Sequence, residues 1–213
     1  MCENIQLMWA VIRIGIYSLF RRICCGGSPP VKPNYTVICI GLSKSGKSSI
    51  LAKLSGESTD NIEPTIGFSI KALIFDNCFL DVKELGGGDN VRPYWDRYYL
   101  GTQGIIFVVN SAGSEEELNT TKEEFRKVME NEQLEGFPLL VLCNHQDQEA
   151  ARSTDEITKL LNLEKQTGER PWAIHGTSAN DKSSIKAGFE KLNKFLLEPY
   201  NPTTNSKDGF DHL

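Results

Sequence analysis

The chain of 213 residues lacks three things that would each have decided its class early. None of its six cysteines (Cys2, Cys24, Cys25, Cys39, Cys78, Cys143) forms a CxxC pair, so zinc ribbons and dithiol redox centres are excluded. There is no long basic run, and the formal net charge is -5, so no nucleic-acid partner held through a charged face is expected. An apolar run of the roughly 20 residues needed to span a bilayer is also missing, because the stretch Leu7 to Phe20 is short and interrupted by Arg13. Arg21 and Arg22 follow that stretch instead of preceding it, the wrong order for a secretory signal. An interfacial or docking helix, followed by a flexible linker "GGSPPVKP", is the reading left for residues 1–34.

What is present is the composition of an ordinary globular domain, 39% hydrophobic and 24% charged. From Tyr35, six strand-like runs alternate with helical patterns: "YTVICIG", "FSIKALIF", "CFLDVKEL", "GIIFVVN", "PLLVLCN" and "PWAIHGT". The second and third read as a hairpin turning at Asp76 and Asn77. Helices are expected over "SEEELNTTKEEFRKVMENEQL", which opens on a serine and an acidic first turn, and over "SSIKAGFEKLNKFLLE". Such alternation predicts an α/β domain over 35–198, a mostly parallel sheet with helices on both faces and one antiparallel edge. The tail 199–213 has turn formers without periodicity and reads as disordered. Cys39, Cys78 and Cys143 fall in apolar runs, as reduced cysteines behaving as small hydrophobes would, which points to a reducing compartment and the cytosol.

"GLSKSGKS", Gly41 to Ser48, fits GxxxxGK[ST] between a strand and a helix. In that setting the backbone N–H groups of Ser43, Lys44, Ser45, Gly46 and Ser49, and the positive end of the helix, face phosphate oxygens. Lys47 reaches the β- and γ-phosphates, and Ser48 offers a hydroxyl to Mg²⁺. "NHQD", Asn144 to Asp147, ends a strand where ligands bind in open α/β sheets. A carboxylate at Asp147 can accept from both the N1 and N2 donors of guanine, a pair that adenine lacks. Asn144 would brace neighbouring loops, and "TSA", with Ser178 and Ala179, could present a backbone N–H to the guanine oxygen. NxxD alone also fits a polar loop; its place after the phosphate loop favours guanine, and a P-loop kinase or ATPase is the weaker reading.

With "PTIGF", "LGGGDNVRPYWDRYY", "TQGIIFVVNSA" and "NHQD" in view, the chain resembles the ADP-ribosylation factor branch of the Ras-like small GTPases from about Tyr35 to Leu197. The resemblance implies a P-loop NTPase of the small GTPase fold, binding GTP/GDP with Mg²⁺. It implies that Thr65 closes over Mg²⁺ and the γ-phosphate and that the Gly87 N–H meets the γ-phosphate. Effectors would bind the switches and the hairpin between them, with an exchange factor and a GTPase-activating protein as regulators. The hairpin would slide when GTP binds and expel the N-terminal helix from a groove.

Four positions depart from the family pattern. Glu84 replaces an aspartate whose contact to Mg²⁺ runs through water, and Gly88 replaces the glutamine that orients the attacking water. His145 stands where a lysine packs along the base, and Lys83 where a tryptophan joins an aromatic pair matching Phe68 and Tyr98. Hydrolysis is therefore expected to be slow; the alternative is a pseudo-GTPase scaffold. Cys2 removes the glycine that many members acylate, whereas Cys24 and Cys25 beside Arg21 and Arg22 suit S-palmitoylation and attachment to the cytosolic face of a membrane.

Overall fold

The computed structural model describes residues 32–60 and 62–198. The apolar N-terminal segment, the linker, Cys24 and Cys25, and the tail expected over 199–213 lie outside the described residues. Two compact units, Met1–Pro33 and Asn34–Leu213, divide the chain, and every element below belongs to the second.

Six strands form one sheet: β1 (Asn34–Ile40), β2 (Phe68–Ile74), β3 (Phe79–Leu85), β4 (Gly104–Asn110), β5 (Leu139–Asn144) and β6 (Trp172–Gly176), in the order β2-β3-β1-β4-β5-β6. All neighbouring pairs are parallel except β2 and β3, which form the expected antiparallel hairpin. Its turn is the two-residue loop Asp76–Asn77, closed by Phe75 N–H donating to the Cys78 carbonyl at 3.0 Å. The central strands read as unbroken apolar runs because both faces are covered: β5 is buried throughout, and β4 up to Val109.

On one face α1 (Lys47–Ser55) and α5 (Lys182–Leu197) place Ile50, Leu51, Ile185, Phe189 and Leu192 against Val37, Cys39, Ile106 and Val108. On the other, α2 (Glu115–Met129) and α3 (Thr154–Leu161) place Leu118, Phe125, Ile157 and Leu161 against Ile38, Ile40, Ile105 and Phe107. Alternate residues of β1 thus feed two cores, the period of a strand buried on both sides. Cys39, Cys78 and Cys143 are buried thiols, and burial raises the Cys143 pKa to about 12.

The helix expected over Ser114 to Leu134 is shorter. It starts as its sequence promises, with a reciprocal capping box between Ser114 and Glu117. It stops at Met129 because Asn131 adopts an extended backbone and its side chain accepts the Gln133 N–H at 3.0 Å, opening a separate 3₁₀ turn over Glu132–Leu134. A second capping box, Ser153 with Glu156, starts α3, and a four-residue helix α4 (Leu163–Gln166) follows. Among the described residues no helix is long and apolar enough to cross a membrane.

Candidate functional site

β1 ends at Ile40 and α1 begins at Lys47, so the loop between them lies at the carboxyl edge of the parallel strands. Gly46 has a φ of 88° and a Cβ there would collide with the Asn144 amide, so only glycine lets the loop pass so close to β5. Lys44 also takes a positive φ, 61°. The Lys47 ammonium, 5% exposed, donates back to the Gly41 and Leu42 carbonyls at 3.0 and 2.9 Å. Burial lowers its pKa, and the charge of nearby Glu84 works against that shift. Lys47 is thus held inside the loop it serves.

Three oxygen groups converge beside it. The Ser48 hydroxyl donates to Glu84 Oε1, Thr65 Oγ1 donates to the same oxygen at 3.2 Å, and the two hydroxyls lie 3.3 Å apart. Glu84 is 2% exposed, placed there by the pairing of β3 with β1 that sets it opposite Cys39. The longer Glu84 side chain reaches the Ser48 hydroxyl directly. As a donor set of hydroxyls and a carboxylate oxygen, these groups suit Mg²⁺. No cage of three or more His, Cys, Asp or Glu side chains exists among the described residues, and a nucleotide-borne Mg²⁺ needs none.

Gly87 packs its α-carbon on the backbone of Gly41, Leu42 and Ser43, where a Cβ has no room, and its carbonyl accepts the Ser43 N–H at 3.1 Å. Gly86 is equally tight against the Thr65 carbonyl, with its N–H donating to the Gly67 carbonyl at 2.8 Å. Gly88 is different. A Cβ there would meet only the Asn90 side-chain oxygen at 2.8 Å and Ser43 Oγ at 3.9 Å. A cavity of about 430 Å³ is lined by Ser43, Lys44, Gly46, Lys47, Ser48 and Ser49 on one side and by Thr65, Glu84, Gly87 and His145 on others. A larger hollow of about 680 Å³ lies between Met129–Gly136 and Lys165–Arg170 and contains none of these residues. Its buried Arg170 donates to the Met129, Leu134 and Thr167 carbonyls, a structural tie between loops.

Asn144 is fully buried and does what bracing requires: Nδ2 donates to the Ser45 carbonyl at 2.9 Å, and Oδ1 lies 3.5 Å from the Thr177 hydroxyl. His145, at a φ of 66°, brings Nε2 to 3.2 Å from the Lys44 carbonyl, so the position still touches the phosphate loop. Asp147 is exposed, and neither it nor Ser178 nor Ala179 lines the cavity beside Lys47 and Ser48. A bond from Ser178, then its own backbone, and further the Asn180 amide at 3.2 Å hold its pKa below the ordinary carboxylate value. Asn180 escaped the sequence reading, since nothing in "TSAN" distinguishes it from a turn residue. Gln146 N–H donates to the Thr177 carbonyl at 3.1 Å, tying the segment carrying Asp147 to that carrying Ser178 and Ala179.

Along the hairpin edge Phe68 and Tyr98 form a tilted ring pair with centroids 5.1 Å apart. Lys83 sits opposite Ile70 and sends its ammonium to the Leu100 carbonyl at 3.3 Å. Ile66, Phe68, Ile70 and Ile74 stay exposed, Ile66 to 92%.

A mostly parallel sheet in this strand order, a GxxxxGK[ST] loop at its carboxyl edge and NxxD at the end of β5 define a P-loop protein of the small GTPase type. The sequence model of the ADP-ribosylation factor family matches residues 29–196, and the chain belongs to that family, whose members are guanine-nucleotide-binding small GTPases. It is similar to human ADP-ribosylation factor-like protein 15, 48% identical over 182 residues that cover 85% of this chain and 89% of that one. ADP-ribosylation factor-like protein 2 of Arabidopsis thaliana is 36% identical over 179 residues, covering 84% and 94%. Among solved structures, the Arl6 BBS3 small GTPase from Trypanosoma brucei, with bound nucleotide analogue GppNp, superposes with a TM-score of 0.69 over 77% of this chain and 98% of that one. At 24% identity that likeness shows the fold alone.

Proposed function

We propose that the protein is a membrane-attached switch that recruits effectors when GTP is bound and hydrolyses GTP slowly unless a partner helps. One observation carries this reading: Ser48 from the phosphate loop, Thr65, and Glu84 with Gly87 meet around one cavity. Groups far apart in sequence can be drawn onto one γ-phosphate there and released when it leaves. Lys47 and the N–H groups of Lys44, Gly46 and Ser49 bind the phosphates, while those of Ser43 and Ser45 donate to the Gly87 and Leu42 carbonyls. Asp147, with Ser178 and Ala179 beside it, takes the guanine, and Asn144 and His145 hold the two halves together. Mg²⁺, held by Ser48 and Thr65 with Glu84 behind them, would neutralise charge between the β- and γ-phosphates. Gly88 supplies no group to orient water, so transfer of the γ-phosphoryl group to water relies on backbone donors and Lys47.

The exposed Ile66, Phe68 and Ile70, with the half-buried Tyr98 ring against Phe68, offer effectors an apolar face, and Lys83 gives it a charge that selects among them. Cys24 and Cys25, if acylated, would anchor the chain on the cytosolic face of a membrane, since each buried methylene contributes about 0.8 kcal/mol. Replacing both with serine should release the protein into the soluble fraction of broken cells; unchanged pelleting defeats the anchoring role.

Titration of the full chain with fluorescent GTP and GDP in Mg²⁺, with single-turnover hydrolysis on the same sample, tests the switch. Micromolar or tighter binding, resistant to excess ATP, with negligible hydrolysis is expected. The second reading, a scaffold indifferent to nucleotide, draws on the departures from the family pattern at Gly88, Glu84 and His145. Absence of binding to either nucleotide would favour it.

A further inference from the structure

Residues 86–88 are three consecutive glycines, the stretch with the greatest backbone freedom in the whole site. Yet the peptides on either side of Gly87 are held. The Trp95 indole Nε1–H donates to the Gly86 carbonyl at 2.8 Å, and Arg92 Nη1 donates to the Gly87 carbonyl at 3.2 Å, the same oxygen that accepts the Ser43 N–H. Both donors come from one 3₁₀ helix, Arg92–Tyr98. Trp95 is 3% exposed, and Arg92 is itself braced by Asp89 at 2.6 Å and Glu124 of α2 at 3.7 Å. Neither Trp95 nor Arg92 lines the cavity, but both hold carbonyls of the glycine stretch whose Gly87 does.

The direction of that effect follows from peptide geometry. A trans peptide points its N–H opposite to its carbonyl, and no cis bond occurs among the described residues. With the Gly86 carbonyl fixed on Trp95, the Gly87 N–H must point away from the 3₁₀ helix. With the Gly87 carbonyl fixed on Ser43 and Arg92, the Gly88 N–H is oriented in turn. We infer that Trp95, supported by Arg92, is a positioning residue: it pre-orients the Gly87 N–H and thereby sets how strongly the site prefers GTP over GDP. The inference rests on the switch reading above, in which that N–H meets the γ-phosphate. GDP has no γ-phosphate, so a peptide left free to rotate should weaken GTP binding alone.

The test compares dissociation constants for a fluorescent non-hydrolysable GTP analogue and for GDP, in Mg²⁺, on the full chain and its variants. Trp95→Phe keeps a buried aromatic ring and removes the donor. It should weaken the GTP analogue about five- to tenfold, the worth of one hydrogen bond, and leave GDP within about twofold. Trp172→Phe, on the far edge of the sheet, should leave the ratio unchanged and serves as the packing control. If Trp95→Phe loses its cooperative melting transition, Arg92→Gln decides the question through the same ratio, with a smaller loss expected because Ser43 still holds the Gly87 carbonyl. Equal weakening of both nucleotides, or an unchanged ratio, would overturn the positioning role while leaving the switch intact. Wild-type protein that binds neither nucleotide would overturn both.

Discussion

Under the proposed switch, replacing Gly88 with glutamine should speed GTP hydrolysis. The position can take the side chain: Gly88 is outside the left-handed region, and a Cβ would press only on Asn90 Oδ1, the end of an exposed amide that can rotate away. The next contact, Ser43 Oγ at 3.9 Å, is ordinary packing distance and places the new side chain beside the phosphate loop. A water-orienting amide worth a hundredfold in rate lowers the barrier by about 2.7 kcal/mol. Loss of glycine at a tolerant site should add about 0.4 to 1 kcal/mol of stability through the unfolded chain. Single-turnover release of phosphate from preloaded GTP is the assay, with GTP affinity measured in parallel. A rate within about threefold of wild type at unchanged affinity would refute the reasoning, because Gly88 would then not be the limiting defect. Gly87→Ala makes the contrast: its Cβ meets the backbone of Leu42, Gly41 and Ser43, which cannot rotate away, so it should abolish GTP binding.

Glu84→Asp withdraws the carboxylate by one methylene, breaking the bonds from Ser48 and Thr65. Losing two bonds to a buried side chain should cost about 1 to 3 kcal/mol of stability; an unchanged melting temperature would count against their contributing to the fold. Acid sensitivity has a worked sign as well. Asp147, Glu156 and Asp181 all have pKa values lowered in the folded state, chiefly by bonds from Ser178, Ser153 and Ser183 respectively. Their stabilisation is complete above the unfolded values and is lost as pH falls through the lower folded ones, so Tm should drop below about pH 4. Ser153→Ala should cost about 1 kcal/mol at neutral pH and flatten part of that acid drop; an acid limb of unchanged shape would show that the Glu156 cap contributes nothing to it.

How much of this was legible in the sequence depended on whether a signal was local. The central strands β4 and β5 were readable because burial on two faces demands unbroken apolar runs, and the hairpin because Asp76 and Asn77 interrupt two strand-like runs. The end of α2 was not, since apolar periodicity continues through Leu134 and only the Asn131 side chain's choice of a backbone partner stops the helix. Lys47 and Ser48 could be read from spacing, because a phosphate loop is one contiguous segment. The direct bond from Ser48 to Glu84 could not, because it depends on parallel register placing Glu84 against Cys39, a tertiary fact. His145 shows the same limit from the other side. The substitution removes the lysine that the family packs along the base, yet the left-handed backbone of His145 carries the ring to the Lys44 carbonyl. The departures from the family pattern therefore differ in kind. At His145 and Glu84 another side chain makes another contact, which a register or a φ angle can accommodate. At Gly88 no side chain remains, and the surrounding donors can fix the backbone but cannot reach for a water.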